Sequence, residues 1–140
     1  MAAWRRKAFE LFPELRDDIE SDAFSPYALF FMLLPFTRQS HRRGDDDALR
    51  RAYGFAQWCH HQRRGSELPN AVAVAFYEHL FDDWSVREDV VPWLSPVVRR
   101  DVWTLWDARL SEPQLSELRQ LFDGDTVRHW QRLREVQRGV

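Results

Sequence analysis

The stretch that decides the fold runs over residues 71–81 and reads Ala-Val-Ala-Val-Ala-Phe-Tyr-Glu-His-Leu-Phe. Nine of its eleven residues are apolar, and they occupy nearly the whole circumference of a helix. Such a helix is stable only when other helices cover most of its sides. A strand would alternate apolar and polar residues, and Glu78 with His79 interrupts that alternation. We therefore predict a central apolar helix over about residues 70–82.

The chain has 140 residues, a net charge of −2 and one cysteine, Cys59. This length suits a single domain, which we expect over residues 1–140. A nearly neutral chain has no overall field that attracts nucleic acid or an anionic membrane, and its basic clusters are interleaved with acids. We therefore expect neither nucleic acid nor a membrane as a partner.

The expected location is the cytoplasm. A lone cysteine allows no intrachain disulfide and suits a reducing compartment. No apolar run typical of a secretory signal follows the basic residues near the N-terminus. The longest uncharged run, residues 23–37, contains two prolines and is too short to span a bilayer.

Helix-start signals recur along the chain and divide it into short helices. Ser25-Pro26 and Ser95-Pro96 each place a capping serine before a first-turn proline. Apolar spacing over residues 46–63 predicts a further amphipathic helix. No convincing strand or hairpin pattern is present. The sequence therefore predicts an all-α fold, an irregular bundle of about seven or eight short helices around the central one.

Two local signals predict interruptions within this pattern. Pro35 lies inside an apolar helical stretch, and it predicts a kink or an end of the helix there. Ser85 and Glu88 have the spacing of a capping box, which predicts the start of a short helix that ends near residue 94.

The last part of the chain is predicted to form two helices. Ser111 with Pro113 begins the first, over residues 114–122, and Asp123-Gly124-Asp125 has the composition of a turn followed by a cap. The second helix, residues 126–137, carries a narrow apolar stripe of Val127, Trp130 and Leu133.

Histidines and the cysteine supply residue types for a metal or nucleophilic site. Possible zinc ligands are found among His41, Cys59, His60, His61, Glu78 and His79. Adjacent helical residues point about 100° apart, so His60 and His61 need other helices to share one ion. No His-Glu-x-x-His or paired-cysteine motif is present, and a cysteine on an apolar helix face is typically an inert packing residue. We expect no catalytic residues, no metal and no cofactor, and any role of these side chains beyond packing stays open.

Acidic and aromatic residues form the candidate binding surface. Capping explains part of the run Asp45-Asp46-Asp47 but does not require three acids in a row. Seven tryptophans exceed what a core of this size needs, and exposed tryptophan is a frequent anchor of protein interfaces. The simpler alternative is that the tryptophans fill a core built from short helices. The predicted partner-binding residues are Asp45, Asp46, Asp47, Trp84, Trp93 and Trp130.

Four segments carry a resemblance to a known family: residues 9–15 (FELFPEL), 27–36 (YALFFMLLPF), 46–55 (DDALRRAYGF) and 67–80 (ELPNAVAVAFYEHL). Over about residues 8–122 the chain resembles a family of small bacterial all-helical domains of unknown function. Some proteins of this kind are similar to immunity proteins encoded beside bacterial polymorphic toxins. The resemblance implies a toxin-binding role and supplies no catalytic residues.

The sequence leaves three functions from different classes open. The first is a non-enzymatic cytosolic protein-binding domain, an immunity protein that blocks a cognate toxin, in which the acids at 45–47 suit a basic nuclease. The second is a homo-oligomeric structural or regulatory module that uses the surplus aromatic residues. The third is a small metal-dependent hydrolase that uses His60, His61, Glu78 or His79. The lack of a recognisable catalytic motif favours the first.

Overall fold

A computed structural model describes residues 2–20 and 24–138 of the chain. Over these residues the backbone forms eight α-helices and four 3-10 turns, and it forms no β-strand. The predicted all-α multi-helix fold is confirmed. The helices are α1 (Ala3–Leu11), α2 (Arg16–Ile19), α3 (Pro26–Arg43), α4 (Asp46–His60), α5 (Glu67–Ala75), α6 (Arg87–Val90), α7 (Pro96–Arg109) and α8 (Glu112–Arg138), and the 3-10 turns are Pro13–Leu15, Tyr77–His79, Trp84–Val86 and Val91–Trp93. None of these described helices combines the length and the apolar character needed to cross a membrane.

Helix α5 packs against both α3 and α4, as the apolar central stretch predicts. Its inward side chains, including Val72 and Ala75, are fully buried. The predicted single helix over residues 70–82 is nevertheless wrong in its extent. Phe76 leaves the helical conformation at φ −127° and ψ −71°, and the 3-10 turn Tyr77–His79 follows it.

Aromatic packing explains why the helix breaks at Phe76. The Phe76 ring lies 5.8 Å from Phe30 and 5.9 Å from Tyr53, measured between ring centroids. The Tyr77 carbonyl accepts a hydrogen bond of 2.7 Å from the indole nitrogen of buried Trp106. In an unbroken α-helix this carbonyl would point along the axis to the amide four residues later. The break therefore buries two consecutive aromatic rings and joins them to α3, α4 and α7.

Helix α3 continues through Pro35, so the predicted end of the helix at this proline is wrong. Pro35 and Phe31, whose carbonyl loses its helical partner, are both exposed, so the interrupted hydrogen bond lies on the solvent side of the helix. On the buried side the Thr37 hydroxyl donates a hydrogen bond of 2.8 Å to the Leu33 carbonyl. The helix ends at Gly44, whose φ of 66° lies in the left-handed region that favours glycine.

Helix α4 has the inward face that its apolar spacing predicts. The sequence predicts an inward face of Leu49, Ala52, Tyr53, Ala56 and either Cys59 or His60. The first four and Cys59 are at most 4% exposed, so Cys59 rather than His60 takes the last inward position. This face covers α5 and part of α3.

Serine side chains confirm two predicted helix starts and contradict a third. The Oγ atoms of Ser25 and Ser95 each accept a hydrogen bond of 3.2 Å from the backbone amide three residues later. The capping box between Ser85 and Glu88 is wrong, because the Ser85 Oγ instead donates a hydrogen bond of 2.6 Å to the carboxylate of Asp83. Ser85 therefore lies within a 3-10 turn rather than before a helix.

Helix α8 is a single helix of 27 residues, so the predicted turn at residues 123–125 is wrong. Asp125, which was expected to cap a second helix, accepts a hydrogen bond of 2.6 Å from the buried guanidinium of Arg99. Gly124 within a helix costs only about 1 kcal/mol relative to alanine. The tertiary ion pair outweighs this local preference and keeps the helix continuous.

Several tryptophans fill the core between α7 and α8. Trp106 is fully buried, and its ring lies 5.1 Å from Phe81 and 5.7 Å from Phe122 between centroids. Within the described residues, Trp130 is the one tryptophan that is more than half exposed. Core filling therefore accounts for much of the tryptophan content.

Candidate functional site

Pro92 and Trp93 form a ridge that separates two pockets on the surface. The Trp93 ring stacks on Tyr53 with centroids 5.6 Å apart and planes inclined by 12°. Beneath the stack, the Tyr53 hydroxyl and the Nε2 atom of His41 form a hydrogen bond of 2.7 Å. The half-buried Trp93 is thus held in place from below by buried side chains.

One pocket, which we call the acidic pocket, has a volume of about 250 Å³. Asp46 enters it from the first turn of α4, where the helix dipole favours negative charge. Glu88 and Asp89 enter it from α6. In the described parts of the chain, none of these three carboxylates forms an ion pair, and no arginine or lysine belongs to the wall of the pocket. The wall is formed by His41, Gly44, Asp46, Leu49, Glu88, Asp89 and the ridge.

His41 is the buried member of the acidic pocket and is 5% exposed. Its Nε2 atom bonds to Tyr53, whereas its Nδ1 atom has no hydrogen-bond partner among the described residues. Burial lowers the pKa of His41, and the nearby carboxylate of Asp89 raises it by less, so the ring is neutral near pH 7. A neutral imidazole has one nitrogen that accepts a hydrogen bond. The pocket therefore combines three unpaired carboxylates with an unpaired imidazole nitrogen.

The other pocket, which we call the arm pocket, lies across the ridge and has a volume of about 510 Å³. Helix α8 contributes His129, Trp130 and Arg132 to it, and the ridge forms part of the facing wall. Trp93 is therefore shared by an acidic pocket and by a pocket with basic side chains.

Arg99 joins the two walls of the arm pocket. It is 8% exposed, and its Nη2 atom donates to the Asp125 carboxylate at 2.6 Å and to the Val91 carbonyl at 2.8 Å. Its Nε atom donates to the Leu94 carbonyl at 2.9 Å, and its Nη1 atom donates to the Phe122 carbonyl at 3.3 Å. These bonds hold the middle of α8 against the 3-10 turn that carries the ridge.

Beyond this anchor, α8 continues as an arm, residues 126–137, in which every residue is exposed. Apolar side chains recur at every third residue of the arm, and we call them the stripe. Each step of three residues falls about 60° short of a full helical turn, so the stripe winds around about half of the helix, and its members are between 42% and 68% exposed. They account for four of the six large apolar side chains that are exposed in the described residues, and they are Val127, Trp130, Leu133 and Val136.

The charges of the arm are mainly positive. Arg128, Arg132 and Arg134 accompany the stripe, and Glu135 is the one acidic residue between 126 and 137. The arm is therefore a basic amphipathic helix, and its sign is opposite to that of the acidic pocket.

Three of the six predicted partner-binding residues lie at the ridge and its two pockets: Asp46, Trp93 and Trp130. Trp84 lies elsewhere, beside the first half of α8. Its ring faces the guanidinium of Arg87 at 5.0 Å from the ring centroid. The structure thus brings half of the predicted residues onto one surface.

The remaining two acids serve local structure. Asp45 caps α4, because its Oδ1 atom accepts a hydrogen bond of 3.1 Å from the Ala48 amide. Asp47 accepts a hydrogen bond of 3.1 Å from the Arg51 Nε atom, and Arg51 also binds Glu14 at 2.7 Å. Asp47 is therefore paired with an arginine of the chain, and Asp45 lies at the positive end of the α4 dipole.

Sequence reasoning missed two residues of the acidic pocket, Glu88 and Asp89, and considered the third, His41, only as a possible zinc ligand. They belong to helices far apart in the chain, and Glu88 had been assigned to a capping box. The consecutive acids Glu88-Asp89 were the one available sequence signal.

Two of the histidines considered for a metal site, His60 and His79, contact different carboxylates. The His60 Nε2 atom lies 2.9 Å from the Asp101 carboxylate, and the hydrogen bond lowers the pKa of Asp101. The His79 Nδ1 atom lies 2.9 Å from Asp82, and its Nε2 atom lies 3.5 Å from Glu78. Within residues 2–20 and 24–138, no group of three histidine, cysteine or acidic side chains is placed to hold a metal ion.

Cys59 is fully buried on the inner face of α4. Burial raises the pKa of its thiol to about 12, although Lys7 lowers it in part. The thiol is therefore protonated and shielded at neutral pH, and it behaves as a packing group rather than as a nucleophile.

The fold and the ridge surface define a small all-helical protein with two adjoining pockets of opposite charge. A family model described as a domain of unknown function (DUF7674) matches residues 6–112, and the chain belongs to this family. No curated protein and no solved structure matches the chain. The matched region contains the ridge and the acidic pocket, and it ends at the first residue of α8, so the arm lies outside it.

Proposed function

We propose that the chain is a non-enzymatic, cytoplasmic protein-binding domain whose partner contacts the arm and the ridge. The observation that carries this proposal is the exposed apolar stripe of the arm. Contiguous apolar surface on a small protein commonly marks an interaction site. Tryptophan and arginine are the most frequent energetic anchors of protein interfaces, and Trp130 lies among the arginines of the arm.

The charge of the arm indicates the chemistry of its partner. A surface that combines an apolar groove with carboxylates would cover the stripe and pair with Arg128, Arg132 and Arg134. The acidic pocket across the ridge favours a basic group of the same partner. Opposite charges on the two sides of Trp93 would therefore fix the orientation in which the partner binds.

We further propose that the chain is an immunity protein that blocks a cognate bacterial toxin by covering its active site. This role needs a binding surface and no catalytic groups of its own. A basic toxin would meet Asp46, Glu88 and Asp89 at the acidic pocket, since Asp45 and Asp47 are engaged within the chain.

Matched variants test the arm as a binding surface. The variant Trp130→Gln with Leu133→Gln removes the centre of the stripe. The control variant Phe31→Gln with Val97→Gln removes the two exposed large apolar side chains that lie outside the arm. Captures from lysate of the source organism should yield a partner with the wild type and the control but not with the arm variant. Equal capture by all three proteins would overturn the assignment of the arm.

The immunity role is tested separately with the captured partner. Expression of the partner alone should arrest cell growth, and co-expression of the chain should restore growth. A harmless partner would remove the immunity role while leaving the protein-binding role in place.

The stripe also favours one alternative, a homo-oligomeric structural or regulatory module in which two arms pack together. Contact between arginines of the two arms would oppose this pairing. Light scattering at micromolar concentration distinguishes the alternatives. A wild-type dimer that dissociates in the Trp130→Gln, Leu133→Gln variant would support the module, and a wild-type monomer would remove it.

A further inference from the structure

We propose that the acidic pocket binds a guanidinium group, which belongs either to a small free cation or to an arginine side chain of a partner. The pocket lies on the opposite side of the ridge from the arm pocket and shares only the ridge with it. A free guanidinium compound tests the pocket directly, so this proposal stands without the proposed protein partner.

Charge is the first argument. Asp46, Glu88 and Asp89 line one pocket of about 250 Å³, and within the described residues they form no ion pair. Carboxylates that share a site repel one another unless a cation lies between them. A cationic ligand would supply the positive charge that the wall of the pocket lacks.

Hydrogen bonding is the second argument. His41 lines the pocket and is almost completely buried, and its Nδ1 atom has no partner among the described residues. When Nε2 donates its proton to the Tyr53 oxygen, Nδ1 is left as an acceptor. The polar side chains of the pocket are then all acceptors. A guanidinium has five N–H donors and no acceptor, so it matches this set.

Shape is the third argument. Leu49, Pro92 and Trp93 provide apolar surface beside the carboxylates. Arginine-like ligands place their alkyl chain along apolar surface, and a guanidinium also binds favourably to an indole ring. The carboxylates and His41 are not among groups that could hold one metal ion in the described residues. Donors spread over a planar fork suit these separated acceptors better than a single ion does.

Ligand titrations followed by NMR test the proposal. The two guanidinium probes are n-butylguanidinium and a capped Gly-Gly-Arg-Gly-Gly peptide. The matched neutral probes are n-butylurea and the same peptide with citrulline in place of arginine. The guanidinium probes should shift the Trp93 indole and His41 ring signals in a saturable way, with a change at the His41 Nδ1 nitrogen, and the neutral probes should not.

Charge variants show where the probe binds. The variant Asp46→Asn, Glu88→Gln, Asp89→Asn should bind n-butylguanidinium about tenfold more weakly, because three exposed carboxylates each contribute a modest attraction. The control variant Glu10→Gln, Asp17→Asn, Asp107→Asn removes three other exposed carboxylates and should bind as the wild type does. Circular dichroism verifies that both variants fold.

Each outcome has a defined meaning. Binding of the arginine peptide at least as tight as that of n-butylguanidinium assigns the pocket to a partner's arginine, and binding of n-butylguanidinium alone assigns it to a free cation. The proposal is overturned if neither guanidinium probe gives a saturable shift, if n-butylurea binds equally well, or if the control variant loses as much affinity as the pocket variant. An unchanged His41 Nδ1 signal in the bound state would remove His41 from the site.

Discussion

Replacement of Arg99, a buried residue in the wall of the arm pocket, by methionine should destabilise the fold strongly. Methionine keeps much of the length of the side chain but has no hydrogen-bond donors. The Asp125 carboxylate and the carbonyls of Val91, Leu94 and Phe122 would lose the partner that Arg99 provides. The cost arises because these acceptors lie in or near the core and water cannot fully replace the guanidinium.

The expected loss is about 3 kcal/mol. Removal of one partner from a buried ion pair costs roughly 3–5 kcal/mol, because the other charge stays behind. The lower end applies here, since the Asp125 side chain is 15% exposed and keeps some contact with water. Proteins of this length have a free energy of unfolding of roughly 7–20 kcal/mol. The substitution would thus remove a substantial part of the total stability.

Urea unfolding followed by tryptophan fluorescence measures this loss. Arg100→Met is the matched control, because the Arg100 side chain is 76% exposed and makes one bond of 3.3 Å, to its neighbour Asp101. The control should change the free energy of unfolding by less than about 0.5 kcal/mol. Adding Asp125→Leu to Arg99→Met should recover part of the loss, because it removes the stranded carboxylate. The reasoning is refuted if Arg99→Met costs less than about 1 kcal/mol or no more than the control.

Three further predictions concern single residues. Burial lowers the pKa of His41 below its ordinary 6.5, so the unfolded chain binds a proton that the folded chain does not. The free energy of unfolding should therefore fall as the pH drops below 6.5, by up to about 1.4 kcal/mol per pH unit. Urea titrations at several pH values should show a weaker pH dependence for His41→Asn. The same pH dependence in the variant and the wild type would contradict this assignment to His41. The Cys59 thiol, with its pKa raised to about 12, should resist iodoacetamide near neutral pH until the chain unfolds, and rapid labelling of the folded protein would disprove its burial. Pro35→Ala should raise stability by about 1–3 kcal/mol in thermal unfolding, because it restores a helical hydrogen bond on an exposed face; a lower melting temperature would count against this.

Local chemistry made several helices predictable from the sequence. The caps at Ser25 and Ser95 need only a side chain and an amide three residues away, and both are present. The continuous helix through Phe76, the helix end offered as one alternative at Pro35 and the turn at Asp125 were wrong, because a distant contact or the exposure of one helix face decided the outcome. Asp125 shows the reason most clearly, because its partner Arg99 lies 26 residues away and no local pattern reveals the pair.

The candidate surface was predictable only in part for the same reason. Asp46, Trp93 and Trp130 were chosen individually for their residue type, and their shared location around the ridge appears only in the folded chain. His41 was considered only as a possible zinc ligand, and its place in the acidic pocket could not be predicted, because its burial and its unpaired nitrogen depend on the packing of α4 and the ridge. The pairing of Asp47 with Arg51 follows helical spacing and was accessible from the sequence, but its effect on the acidic run was overlooked.

The continuity of α8 gives the arm a defined length. At 1.5 Å and 100° per residue, the stripe from Val127 to Val136 is about 14 Å long and its two ends lie about 180° apart around the helix, so a single partner helix covers only part of it. An interface limited to so short a segment buries less surface area than the roughly 1,200 Å² that stable complexes bury. A partner that contacted the arm alone would dissociate quickly, and one that also contacted Trp93 would dissociate more slowly. The continuous helix would therefore favour partners that are large enough to contact both the arm and Trp93.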